Sequence, residues 1–167
     1  MTGPLPDVIF EALHDGVPLP ARATAQAAGY DLSAWLRGRT VRLWRGGAES
    51  PRTLGDDGTL LLEPGDVALV PLGFRARLPD GYEAQIRIRS SAALKKGLTL
   101  PNAPGTIDAD YPDEWLVMVR NSGPVPARIE HGERIAQVVL ARYAALPWRA
   151  GAVTRSTDRT GGLGSTG

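Results

Sequence analysis

Period-two alternation over residues 82–89 constrains this chain more than any other feature. Tyr82, Ala84, Ile86 and Ile88 fall on one side of an extended strand, and Glu83, Gln85, Arg87 and Arg89 on the other. That is the pattern of a strand with one buried face, because successive side chains point to opposite sides of a sheet. Segments 66–78, 115–120 and 134–143 are similarly short and rich in β-formers. Between them lie Pro64-Gly65, Pro79-Asp80-Gly81 and Asn121-Ser122-Gly123-Pro124, residue types that supply turn conformations. The 20 glycines and 14 prolines among 167 residues fit that many turns. Short strands with frequent turns predict an all-β jelly-roll or β-sandwich rather than a layered α/β protein. One short helix is expected from Ser90 to Leu98, with Ser90 or Ser91 as its cap, Ala92 to Lys96 as its body and Gly97 as its stop.

The length and the 43% apolar content fit one domain with one ordinary core. Residues 1–153 are read as that β domain. Residues 154–167, rich in Gly, Ser and Thr, are read as a flexible C-terminal arm. Within the domain, residues 35–58 carry Trp35, Trp44, Arg37, Arg39, Arg42, Arg45 and Arg52 ahead of a polar Gly-rich patch, and read as an extra hairpin or loop. Lys and Arg total 19 against 18 Asp and Glu, so no bulk charge holds nucleic acid or an anionic membrane, and no stable nucleic-acid partner is expected. Cysteine is absent, and His14 and His131 are the only imidazoles, a poor basis for a protein-ligated zinc. The first ten residues lack a signal-peptide pattern and no run of about 18 apolar residues occurs, so a soluble cytoplasmic protein is expected, with no membrane partner.

Three clusters can carry chemistry. Arg89-Ser90-Ser91 ends a strand and opens the helix, where hydroxyls, backbone N–H groups and a guanidinium suit a phosphate; helix capping alone accounts for the serines equally well. Asp108, Asp110, Asp113 and Glu114 crowd around Tyr111. At alternate strand positions Asp108 and Asp110 would share a face, and a carboxylate near a reactive phosphorus can accept a proton from water. The tail Gly161-Gly162-Leu163-Gly164-Ser165-Thr166-Gly167, preceded by Arg159, can wrap a polyphosphate through backbone donors, although it is no Walker loop and a plain flexible tail has the same composition.

Taken in order from Ala28 to Gly167, five segments resemble the motifs of the trimeric dUTPase family. They are Ala28-Gly29-Tyr30-Asp31-Leu32-Ser33-Ala34, then Arg89-Ser90-Ser91 with Lys95 and Gly97, then Gly105-Thr106-Ile107-Asp108-Ala109-Asp110-Tyr111, then Gly132-Glu133-Arg134-Ile135-Ala136-Gln137, and the Gly-rich tail. The resemblance implies a jelly-roll homotrimer with active sites between subunits. It implies hydrolysis of dUTP to dUMP and pyrophosphate, which limits dUTP and supplies dUMP for dTMP synthesis. Asp108 would activate the water that attacks the α-phosphorus, with Mg²⁺ bridging the phosphates and Asp31 holding it through a metal-bound water. Arg89, Ser90, Ser91 and Gln137 would contact phosphates, and Arg159 their γ end. A β-hairpin at about 98–110, with Asn102, Gly105 and Ile107, would read uracil, while Tyr111 would lie under the deoxyribose and exclude a 2′-hydroxyl. Leu163 and Gly164 of the tail would close over the nucleotide.

The chain departs from the family pattern at Leu163, where an aromatic is usual, and in the Arg159-to-Gly161 spacing, one residue short. Pro112-Asp113-Glu114 stands where x-Gly-Glu is common, and 35–58 is longer than its counterpart in compact relatives. Other readings are a dCTP deaminase of the same fold, a non-catalytic nucleotide-sensing regulator, and a nucleic-acid module built on the Arg/Trp stretch.

Overall fold

A computed structural model of the chain describes residues 5–158. Two antiparallel sheets carry most of the strands. The first runs, in spatial order, β12 (Gly105–Ile107), β10 (Tyr82–Ile88), β15 (Arg134–Arg142), β3 (Tyr30–Ser33) and β2 (Ala21–Arg22). The second runs β11 (Leu98–Thr99), β13 (Leu116–Asn121), β8 (Val67–Pro71), β4 (Thr40–Arg45) and β5 (Ala48–Glu49), with β6 (Arg52–Thr53) pairing to β4. Two smaller pairs, β1 (Ile9–Ala12) with β9 (Phe74–Arg77) and β7 (Thr59–Leu62) with β14 (Ala127–Glu130), complete the strands. The only helix among the described residues is α1 (Ser90–Lys96). The result is the expected all-β jelly-roll sandwich.

Alternation explains which side of each strand is buried. In β10 Ala84 and Ile86 are buried, and in β8 and β13 the inward residues are Ala68, Val70, Val117 and Val119. These join Leu32, Leu36, Leu60, Leu62, Ile129, Ile135 and Trp115 in one core cluster. Burying each such large side chain contributes about 1.5–3 kcal/mol, so the pattern alone strongly fixes the strand faces. The segment 66–78 is two strands, β8 and β9, broken at Leu72-Gly73. Residues 35–58 are tied closely into the sandwich: β4 is an inner strand paired with β8, with Val41 and Leu43 buried, and it turns through Gly46-Gly47 to β5.

The helix differs in detail from expectation. Arg89, not a serine, is its N-cap, and the Arg89 side chain makes no capping bond. Gly97 ends it with φ 65°, donating its N–H to the carbonyls of Ala92 and Ala93. A Cβ at Gly97 would meet the Gly123 Cα at 2.8 Å, so glycine is needed for both conformation and space. The fully buried Asn121 braces the same corner. Its Nδ2 donates to the carbonyls of Leu62 and Val125, each at 2.8 Å, and its Oδ1 accepts from Gly123 N at 3.0 Å.

Candidate active site

The register of three neighbouring strands assembles the first part of the site. Arg87 on β10 lies opposite Gln137 on β15, which lies opposite Asp31 on β3. A bulge in β15 between Arg134 and Ala136 leaves Ile135 and Ala136 both buried and re-aims Arg134. Arg134 Nη1 then reaches Asp31 Oδ2 at 3.0 Å, while Arg89 Nε lies 3.1 Å from Asp31 Oδ1. The backbone N–H of Arg89 donates to the Ile135 carbonyl at 3.1 Å, and its Nη1 donates to the Arg134 carbonyl at 3.3 Å. Two guanidiniums thus share one carboxylate that is only 16% exposed, leaving a net positive patch with donors free for an anion.

Ser90 and Ser91 follow Arg89 at once and are exposed beside that patch. The far end of α1 is also anchored: Lys96 Nζ pairs with Glu133 Oε1 at 2.5 Å and donates to the Arg128 carbonyl at 2.7 Å. Gln137 is held against the chain at Gly29. A Cβ on Gly29 would sit 2.2 Å from Gln137 Oε1 and 3.0 Å from its Cδ, so only glycine admits that amide. The structure therefore brings Asp31, Arg89, Ser90, Ser91 and Gln137 together. It adds Arg134, which the sequence motif contained without a stated role, and Gly29, whose role rests on a tertiary contact that no sequence pattern shows.

The second part lies at the other end of the first sheet. Asn102 lies over Gly105, its Nδ2 3.3 Å from where a Cβ would be, and Ile107 is buried behind them. Asp108 is exposed just beyond β12, and its backbone carbonyl accepts the Tyr111 N–H at 3.2 Å; the Tyr111 hydroxyl donates to the Glu114 carbonyl at 3.4 Å. Burial, then the charges of Asp113 and Glu114, push the Tyr111 hydroxyl above its ordinary pKa, which keeps it a protonated donor.

Two expectations need correction here. Asp108 and Asp110 do not alternate along a strand, because β12 ends at Ile107 and the chain turns. Nor is 98–110 a hairpin: β11 pairs with β13 and β12 with β10, so the segment crosses between sheets. The short loop 100–104 cannot pair its flanks because each flank is claimed by a longer strand of a different sheet. Arg159, Leu163 and Gly164 lie outside the described residues.

Strand geometry separates the two parts. Ile107 is opposite Ala84, four residues short of the Ile88 end of β10, and β12 is three strands from β3. At a rise of about 3.4 Å per residue and about 4.8 Å between strands, Asp108 and Asp31 of one chain are roughly 20 Å apart. Among the described residues no group of three His, Cys, Asp or Glu is gathered to hold a metal. One carboxylate shared by two guanidiniums is no protein cage for a metal, so a divalent ion here would need the negative charge of bound phosphates and would keep most of its own waters, the habit of Mg²⁺. No helix among the described residues is long and apolar enough to cross a membrane.

Comparison with known proteins bears on these features. A dUTPase family model matches residues 57–167. A deoxyuridine 5'-triphosphate nucleotidohydrolase of Desulfotalea psychrophila is 43% identical over 150 residues, covering 89% of this chain and 87% of that protein. The crystal structure of a dUTPase from Streptococcus mutans aligns with TM-score 0.65 at 27% identity, over 84% of this chain and 99% of that one. A mutant dUTPase from phage phi11 of S. aureus, described with a structural Mg(II) ion, aligns with TM-score 0.67 at 17% identity, over 87% of this chain and 97% of that one.

Proposed function

This chain belongs to the dUTPase family, and we propose on that footing how its residues carry out the hydrolysis of dUTP to dUMP and pyrophosphate. The reaction lowers dUTP and supplies dUMP for dTMP synthesis. The observation that carries the mechanism is the Asp31–Arg89–Arg134 cluster beside Gln137, Ser90 and Ser91. Its guanidiniums, amide and hydroxyls hold the phosphates, and Asp31 keeps both guanidiniums oriented before substrate arrives, so little reorganisation is left for the reaction.

Asp108 accepts the proton of the water that attacks the α-phosphorus. A new oxygen–phosphorus bond forms there as the bridging bond to the β-phosphate breaks, and pyrophosphate leaves. Asp31 would hold Mg²⁺ beside the nucleotide through a metal-bound water, and the ion would supply charge neutralisation for the phosphates. Asn102 and the backbone of Gly105 and Ile107 hydrogen-bond the uracil edge, and Tyr111 lies against the deoxyribose. Arg159, Leu163 and Gly164 close over the bound nucleotide.

The roughly 20 Å between Asp108 and Asp31 exceeds what one triphosphate spans, so each site takes the phosphate cluster of one chain and the Asp108–Tyr111 turn of another. A homotrimer supplies three such sites. Its formation has surface to use: Trp44, Val67, Leu69, Leu116 and Met118 make a half-buried apolar outer face on the second sheet, and Leu146, Trp148 and Val153 are exposed beyond β15. The nucleotide substrate is consistent with a cytoplasmic location. Of the arginines in 35–58, Arg39, Arg42 and Arg45 are engaged by Glu114, Glu49 and Asp66, which leaves little for a nucleic-acid backbone.

The test is to incubate the protein separately with dUTP, dCTP, dTTP and UTP, with Mg²⁺ and then with chelator, following products by chromatography. Only dUTP should yield its monophosphate and pyrophosphate, and ammonia from dCTP would contradict the reading. Asp108→Asn should abolish hydrolysis while still binding dUTP, since proton acceptance is lost and shape is kept. Normal turnover by that variant would remove Asp108 from the mechanism.

A further inference from the structure

Arg39 reaches 75 residues along the chain to Glu114, whereas Arg42 and Arg45 pair with carboxylates 7 and 21 residues away. The Arg39 guanidinium meets Glu114 in a two-point fork, Nη1 to Oε1 at 3.1 Å and Nη2 to Oε2 at 2.6 Å. Both side chains are mostly buried, at 23% and 18% exposed. Neither end of this fork is loose. Arg39 is fixed by its N–H on the Leu36 carbonyl at 3.1 Å and by its carbonyl on Leu54 N at 2.9 Å, and Nη1 also lies 3.0 Å from His14 Nε2. Glu114 Oε1 accepts a second bond from Gly73 N at 2.8 Å, and the next residue donates its N–H to the Phe74 carbonyl at 2.9 Å.

Glu114 in turn holds the site turn. Its carbonyl accepts the Tyr111 hydroxyl, and Tyr111 N–H closes back onto the Asp108 carbonyl. Tyr111 is itself 37% exposed, so one side of the ring is open. The Arg39–Glu114 fork is therefore a rigid support for the backbone carbonyl on which the Tyr111 hydroxyl rests. A bidentate guanidinium–carboxylate pair fixes orientation as well as distance, which a single lysine contact does not.

We propose that Arg39 is a positioning residue that, through its fork to Glu114, sets the height of Tyr111 and so sharpens discrimination between deoxyribose and ribose nucleotides. This rests on the reading above that Tyr111 lies against the sugar. It gives the Arg- and Trp-rich stretch a use that its composition does not reveal: the residue just before its first strand carries the brace for a turn remote in sequence.

The experiment compares kcat and KM for dUTP and for UTP in the full-length protein, its Arg39→Met and Arg39→Lys variants, and Tyr111→Ala. A displaced Tyr111 ring loses sugar contact and leaves room for a 2′-hydroxyl, so Arg39→Met should lower the dUTP-to-UTP ratio of kcat/KM on the order of tenfold, with a raised KM for dUTP and kcat within about twofold. Arg39→Lys keeps the charge and stem but loses the fork, and should fall between; it also carries the comparison if Arg39→Met does not fold. A merely structural role would lower the amount of active protein and leave the ratio alone. If Tyr111→Ala lowers the ratio and neither Arg39 variant does, the inference fails while the sugar reading survives. If Tyr111→Ala leaves the ratio unchanged, the sugar reading fails and the inference falls with it.

Discussion

Replacing Gly29 with alanine tests the phosphate site through one contact. No left-handed φ is required at Gly29, so the backbone itself tolerates a Cβ. The new methyl, however, would lie 2.2 Å from Gln137 Oε1, 3.0 Å from its Cδ and 3.3 Å from its Cβ. Atoms of this kind settle at about 3.5 Å or more, so the amide must retreat by about 1 Å and its stem by a few tenths. Rotating the Gln137 side chain off its position costs about 0.5–1.5 kcal/mol, partly offset by the roughly 0.4–1 kcal/mol that Gly→Ala gains from the unfolded chain. Folding should thus be nearly unaffected. Activity should not be, because a hydrogen bond to a charged phosphate is worth about 1.5–3 kcal/mol, which converts to a loss of roughly 10- to 150-fold in kcat/KM. The assay is kcat/KM for dUTP with a thermal melt, repeated in a Gln137→Ala background. There the methyl meets no amide, and adding Gly29→Ala should change little. An equal loss from Gly29→Ala in both backgrounds would refute the argument, since the glycine would then act by some route other than Gln137.

Two further outcomes follow from the geometry. Coexpressing Asp108→Asn with Arg89→Met chains, each inactive alone, should restore about a quarter of wild-type activity, because in randomly mixed trimers one site in four draws both intact residues from different chains; if the mixture stays inactive, each site belongs to one chain. His131 Nδ1 accepts the backbone N–H groups of Leu36 and Arg37 at 3.0 and 3.3 Å, and burial, then the charge of Arg37, hold its pKa below the ordinary 6.5. The unfolded chain therefore takes up that proton first: the contribution is complete above about pH 6.5 and is lost as pH falls below it toward the depressed folded value. Urea midpoints between pH 7.5 and 5.5 should fall less for His131→Asn, which keeps an acceptor but cannot titrate, and identical slopes for both proteins would discount the role.

What the sequence revealed follows from how local the governing interaction is. The buried face of β10 could be read because Ala84 and Ile86 alternate with Gln85 and Arg87 inside one strand, and the helix stop at Gly97 because only a few residues define it. In β4 the same alternation places Val41 and Leu43 inward, but the apolar Trp44 at an outward position and the charged Arg45 at the next one break the period and hide the strand. The two-residue strands β2, β5, β6 and β11 leave no period at all. In the site, family resemblance grouped Asp31, Arg89 and Gln137. Their convergence depends on the register of β10, β15 and β3, and the aim of Arg134 depends on a bulge, both of which are properties of paired strands. Arg39 and Glu114 go one step further, since nothing near either residue marks the other as its partner. Residues whose chemistry acts on the ligand can be found by type and spacing, whereas the residues that position them are chosen by the fold, so the supporting contacts at Gly29, Arg39 and Glu133 emerge only once the strands are paired.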